Sequence, residues 1–115
     1  MIELTEIKEL IPSSLYSWLN KEGHYDRPKQ QALELIKNET GITIEDPRPD
    51  GMDWILTPFA FLIEYLAGDA LPGVSAEYEQ RRQAKFEKAF VLLKAHKITT
   101  RVGAQAVFGQ IDGLY

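Results

Sequence analysis

Two histidines, a run of aspartates, one glutamate in an apolar stretch and a cluster of basic residues are the side chains here that could do chemistry. His24 lies in a loop and His96 at a helix end, and neither has a second ligand at helical spacing beside it. Neither therefore announces a metal site or a proton relay. The simpler role for His96 is electrostatic, offsetting the negative end of a helix dipole. Asp46, Asp50 and Gly51 fall at the first, fifth and sixth positions of a calcium loop, with Asp53 close behind. Arg48 at the third position, Thr57 at the twelfth and prolines at the second and fourth break that pattern, so an acidic connecting loop is expected.

Glu64 interrupts an otherwise apolar helix. It either surfaces on the exposed side or pairs with an arginine of a neighbour; catalytic use lacks a second titratable group placed beside it. Arg81, Arg82, Lys85 and Lys88 could suggest phosphate binding, but Glu77, Glu79 and Glu87 are interleaved with them. Glu77 and Arg81 stand at i,i+4 in the favourable orientation. A solvated face is the first reading, contact with an acidic subunit neighbour the second, and nucleic acid the third. No glycine-rich phosphate loop, nucleophile elbow or paired-histidine helix motif is present. No enzyme, metal or cofactor is expected.

Composition narrows the class further. The chain has 115 residues, 44% hydrophobic and 26% charged, which suits one small domain. There is no cysteine, so neither a disulfide framework nor a thiolate metal site is available. The opening MIELTEIKEL is acidic where a secretory signal would be basic and then apolar. The longest apolar stretch, residues 54–67, is broken by Pro58 and Glu64 and is too short to span a bilayer. A net charge of -4 argues against a basic nucleic-acid clamp and suits a surface past which DNA slides without sticking.

The elements that must position these residues read as all-α. A segment over 5–19 is interrupted by Pro12. A helix over 27–39 follows, with Asp26 as N-cap, Gly41 past its end, and Ala32, Leu33, Leu35 and Ile36 as its buried stripe. Ile42 and Ile44 alternate with Thr43 as in a short strand. Asp53 could cap an early turn, but Thr57 as N-cap and Pro58 at the first helical position mark the start of the most apolar helix, which should be central. Ser75 opens a long charged helix. Tyr78, Phe86, Ala89, Phe90 and Leu93 form its apolar face, and Arg81, Arg82, Lys85 and Lys88 mark its wet side. A short turn at 71–73 should fold these two helices into an antiparallel hairpin. The aromatic residues on the helices are expected in the core.

Residues 98–115 differ in kind. They carry only Arg101 and Asp112 as charges and are interrupted by Gly103, Gly109 and Gly113. Disordered tails are usually polar and charged, whereas this one holds Val102, Val107, Phe108, Ile111, Leu114 and Tyr115. Glycine costs about 1 kcal/mol per site relative to alanine in a helix, so a helix of its own is disfavoured. Something else should cover the segment: this domain, a second copy or a different protein. Fully extended, it could reach roughly 55–60 Å at about 3.3 Å per residue.

The order of short N-terminal segment, amphipathic helix, acidic proline-containing loop, apolar helix TPFAFLIEYLA, turn, long charged helix and C-terminal arm resembles the head–tail connector (adaptor) proteins of long-tailed bacteriophages. That resemblance implies a small helical bundle, residues 1–97, with a docking arm, residues 98–115. It implies a dodecameric homo-oligomeric ring between portal and tail or neck proteins, through which DNA passes without sequence-specific binding. On that basis Arg101, Val102, Val107, Phe108, Ile111, Leu114 and Tyr115 dock on the portal. Glu64, Arg81, Arg82 and Lys85 meet a neighbouring subunit. The implied location is the virion neck, after assembly in host cytoplasm. Two rival readings remain: a small inhibitor or regulator that binds a host partner through the same arm, and a small helical DNA-binding protein using the face from Arg81 to Lys88.

Overall fold

The computed structural model describes residues 2–44, 51–68 and 75–96. These are mostly helical and contain no strand. In order they form a 3-10 helix (Leu4–Leu10), α1 (Ser13–Leu19), α2 (Asp26–Thr40), a second 3-10 turn (Asp53–Ile55), α3 (Leu56–Ala67) and α4 (Ala76–Lys94).

The first 3-10 helix turns once every three residues, so Leu4 and Ile7 fall on one edge, and both are buried. Glu3 and Glu6 close a reciprocal capping box at its start, with the Glu3 N–H donating to Glu6 Oε2 at 2.9 Å. Pro12 ends this element. Its ring holds Ile11 extended (φ -126°, ψ 158°), and α1 begins directly after it.

In α2, Ala32 and Ile36 are buried while Leu33 and Leu35 are half-buried against the core, as the stripe requires. Asp26 does not cap this helix; it is the first helical residue, preceded by Tyr25 in helical conformation. The phenol of Tyr25 instead donates to the Ile2 carbonyl at 2.9 Å, tying the start of the chain to the start of α2. Gly41 ends the helix with φ 80°, a left-handed geometry that glycine adopts at no steric cost, and its N–H bonds the Lys37 carbonyl at 2.8 Å. The strand expected at 42–44 is absent. The Ile42 N–H bonds Thr40 Oγ1 at 3.0 Å, and no strand among the described residues offers a ladder.

α3 is central and packs against the first 3-10 helix, α2 and α4. Phe59, Ala60, Leu62 and Ile63 are fully buried, and burying side chains of the larger kinds contributes about 1.5–3 kcal/mol each. Thr57 is not its N-cap. Ile55 is completely buried, and drawing it inward winds Asp53–Ile55 into a 3-10 turn that runs straight into α3. Pro58 still falls in the first turn, where its missing N–H costs nothing.

Ser75 does cap α4: its Oγ accepts from the Tyr78 N–H at 3.1 Å. Gly68 at the end of α3 meets Arg82 near the start of α4, while Trp54 before α3 meets His96 after α4. Residues 69–74, between the two helices, lie outside the described residues.

Candidate functional site

Charged side chains collect where α3 and α4 face each other. Glu64 projects from the most apolar helix and is 1% exposed, so it does not surface on the exposed side, the first of the two expected readings. Its partner is not an arginine of a neighbour but Lys85 of the same chain, whose Nζ lies 3.1 Å from Oε1. The Lys85 side chain, 38% exposed, reaches inward across the Phe61 ring, with 5.9 Å from Nζ to the centroid. Its aliphatic stem lies along apolar surface while the ammonium meets the buried carboxylate.

Arg82 also turns inward. It does not lie on the wet side of α4 but is 5% exposed, with its guanidinium 5.4 Å from the Tyr65 ring centroid and Nη2 2.8 Å from Glu79 Oε1. Gly68 makes this possible. A β-carbon at Gly68 would stand 2.7 Å from Arg82 Cδ, closer than real contacts allow, and its φ of -63° is open to any residue. The glycine is there for space, not for backbone freedom. Tyr65 in turn stacks on Phe86 at 3.9 Å, and Phe86 meets Phe90 edge-on at 5.0 Å. Such ring pairs add about 0.5–1.5 kcal/mol beyond area burial.

Tyr78 completes the seam. Burial pushes its phenol above the ordinary value, and the Glu64 carboxylate beside it adds to that; the Arg82 charge opposes it. Glu64, Glu79, Arg82 and Lys85 together sum to zero formal charge. A buried pair is costly to break because one partner is left uncompensated. The Glu64–Lys85 pair ties α3 to α4.

Of the four residues expected at a subunit interface, Glu64 and Arg82 are thus taken up inside the chain and Lys85 is half-buried beside them. Arg81 faces outward. The wider wet face of α4 does hold Arg81 and Lys88, together with Val91, which is 67% exposed. The portal-docking residues Arg101, Val102, Val107, Phe108, Ile111, Leu114 and Tyr115, with the 98–115 boundary, lie outside the described residues, as do Asp46 and Asp50.

The two histidines share an unexpected pattern, each packing on one of the two tryptophans. His96 stacks on Trp54 at 3.7 Å and 8°. His24 lies 4.2 Å from Trp18, and its Nδ1 is 2.9 Å from the Trp18 carbonyl. A carbonyl only accepts, so Nδ1 is the donor in that contact. Trp18 and His24 wall an open groove of about 490 Å³ that also involves Arg27, Pro28, Gln31 and Leu66. No signal in the sequence pointed to this groove, because its walls come from α1, the loop after it, α2 and the end of α3.

Among the described residues, no group of three histidine, cysteine or acidic side chains converges to hold a metal ion. No helix among them is long and apolar enough to cross a membrane. No protein-family model, curated protein or solved structure matches the chain.

Proposed function

We propose that this chain is a non-enzymatic structural subunit of a bacteriophage neck, a head–tail connector that forms a ring between portal and tail. In this reading α3 and α4 are the central hairpin of each subunit. The segment over 98–115 docks onto the portal, and DNA passes through the ring without being bound.

The observation that carries the reading is the contrast between a self-contained helical body and the apolar segment that follows it. In the body, Glu64 of α3 pairs with Lys85 of α4, and Arg82 pairs with Glu79 within α4. The stack of His96 on Trp54 fixes the point from which the chain continues. After Lys97 come eighteen residues with two charges and three glycines. An extended apolar segment of this kind gains main-chain hydrogen bonds and side-chain pockets when it lies on another protein. Ring symmetry multiplies such modest contacts through effective concentration. The DNA-binding alternative loses support, since two of its four basic residues are engaged with Glu64 and Glu79. Arg81 and Lys88 are the exposed members of that set and are available to a neighbouring subunit.

The test is to co-express the chain with the portal protein encoded nearest to it, then image the purified material in negative stain. The full chain should join the portal as a ring. A chain ending at Thr100 should remain helical and fail to join. A full chain that never associates with the portal would end this reading, and unfolding of the shortened chain would mean that the segment completes the core instead.

A further inference from the structure

The groove walled by Trp18 and His24 has a composition that matches one part of this chain. Its floor is Pro28, Leu66 and Ala67, its aromatic wall is the Trp18–His24 pair, and its rim carries Arg27 and Gln31, both exposed. An apolar floor, a flat aromatic wall and one cation at the rim suit an apolar peptide bearing one carboxylate. Residues 108–114, Phe-Gly-Gln-Ile-Asp-Gly-Leu, are such a peptide, and Asp112 is the only acid after Glu87 in the sequence.

Reach favours the chain's own copy of this segment. The described backbone stops at His96, anchored on Trp54 at the N-terminal end of α3, whereas the groove lies at the other end of α3, beside Leu66 and Ala67. The two ends of that helix are about 18 Å apart at about 1.5 Å per residue. From residue 97 to residue 108 an extended chain covers about 36 Å at about 3.3 Å per residue, enough to run back along the domain. A tether of that length holds the segment at an effective concentration on the order of millimolar.

We infer that the groove holds residues 108–114 of its own chain until a partner takes them. Phe108 lies on Trp18, Ile111 and Leu114 on the floor, and Asp112 pairs with Arg27. The contact shields an apolar segment from water and from other copies, and it makes docking to any partner an exchange of one apolar surface for another.

The absence of native cysteine allows a direct test on the full chain without any portal present. Gln31→Cys is combined with Gln110→Cys, and for comparison Lys88→Cys, on the exposed face of α4, with Gln110→Cys. Gln31, Lys88 and Arg27 are all exposed, so these changes leave the core intact. The expected result is an intramolecular disulfide that forms about tenfold faster at Gln31 than at Lys88, with a rate independent of protein concentration. Arg27→Glu should slow it, and adding Asp112→Arg to that variant should restore it. Equal rates at the two positions, insensitivity to the charge reversal, or a disulfide that forms only between copies would each overturn the inference. The portal experiment is read separately, so failure of either leaves the other standing.

Discussion

His96 stacks flat on Trp54, ring centroids 3.7 Å apart and planes within 8°. Trp54 enters α3 and His96 leaves α4, so a single ring contact fastens the end of α4 to the start of α3. Replacing His96 with alanine should cost about 0.5–1.5 kcal/mol of stability, the usual range for an aromatic pair. Chemical denaturation would measure that loss. Trp54 fluorescence should shift toward that of a solvent-exposed indole, and an unchanged midpoint with unchanged emission would show that the stack holds nothing in place.

Gly68 offers a sharper test, because the ordinary rule predicts the opposite sign. Glycine to alanine at a backbone conformation open to both usually stabilises by about 0.4–1 kcal/mol. Here the added methyl meets the Arg82 side chain, so Gly68→Ala should destabilise by about 1–2 kcal/mol through overpacking. Combining it with Arg82→Ala should give a loss smaller than the sum of the two single changes. Additive losses in thermal unfolding would separate the two residues.

Lys85 and Lys88 lie one turn apart on α4 and should respond differently. Lys85→Met removes the ammonium from a carboxylate that is 1% exposed, and should cost about 1–3 kcal/mol, moderated by the partial exposure of the lysine. Lys88→Met, on the wet face, should stay within about 0.5 kcal/mol. Equal effects in paired denaturation curves would mean that the Glu64–Lys85 contact is not a structural pair.

Two phenols give the protein an alkaline limit. Burial raises Tyr25, helped by the charges of Glu3 and Glu6, and burial followed by Glu64 raises Tyr78, both from an ordinary value of 10.0. Below that value the two are neutral whether the chain is folded or not, so their contribution is fully present. Above it the unfolded chain releases its protons while the folded chain retains them, and stability falls as pH rises. Tyr25→Phe and Tyr78→Phe should each flatten that fall when unfolding is followed from neutral to strongly alkaline buffer. Tyr25→Phe should in addition lose about 1 kcal/mol at neutral pH with its bond to the Ile2 carbonyl. An alkaline slope unchanged in both variants would place its origin elsewhere.

The sequence made the helices legible where a signal was local. Ser75 caps α4 and Gly41 ends α2 because a side-chain oxygen and a missing β-carbon act within a few residues of themselves. Asp26 and Thr57 failed as caps for the opposite reason: Tyr25 and Ile55 are recruited by distant partners, Ile2 and the core, and these outweigh the local preference. The inward turn of Arg82 was hidden because hydropathy along one helix cannot see a carboxylate on the next element or a gap left by a glycine. A trace was still present. Tyr78, Arg82, Phe86, Ala89 and Leu93 keep the spacing of one continuous stripe, and Glu64 is the one charge in the facing helix. Two misfits of opposite sign on adjoining helices point to a seam between them. The groove left no such trace, since Trp18 and Leu66 are far apart in the chain.

The burial of Ile2, Leu4 and Ile7 has a consequence for biosynthesis. The 3-10 helix that holds Leu4 and Ile7 rests on α3, which lies later in the chain and is complete only at Ala67. The nascent polypeptide must therefore carry these oily side chains uncovered until α3 has been translated. Chaperone demand should peak over that interval and fall once Phe59 and Ile63 emerge.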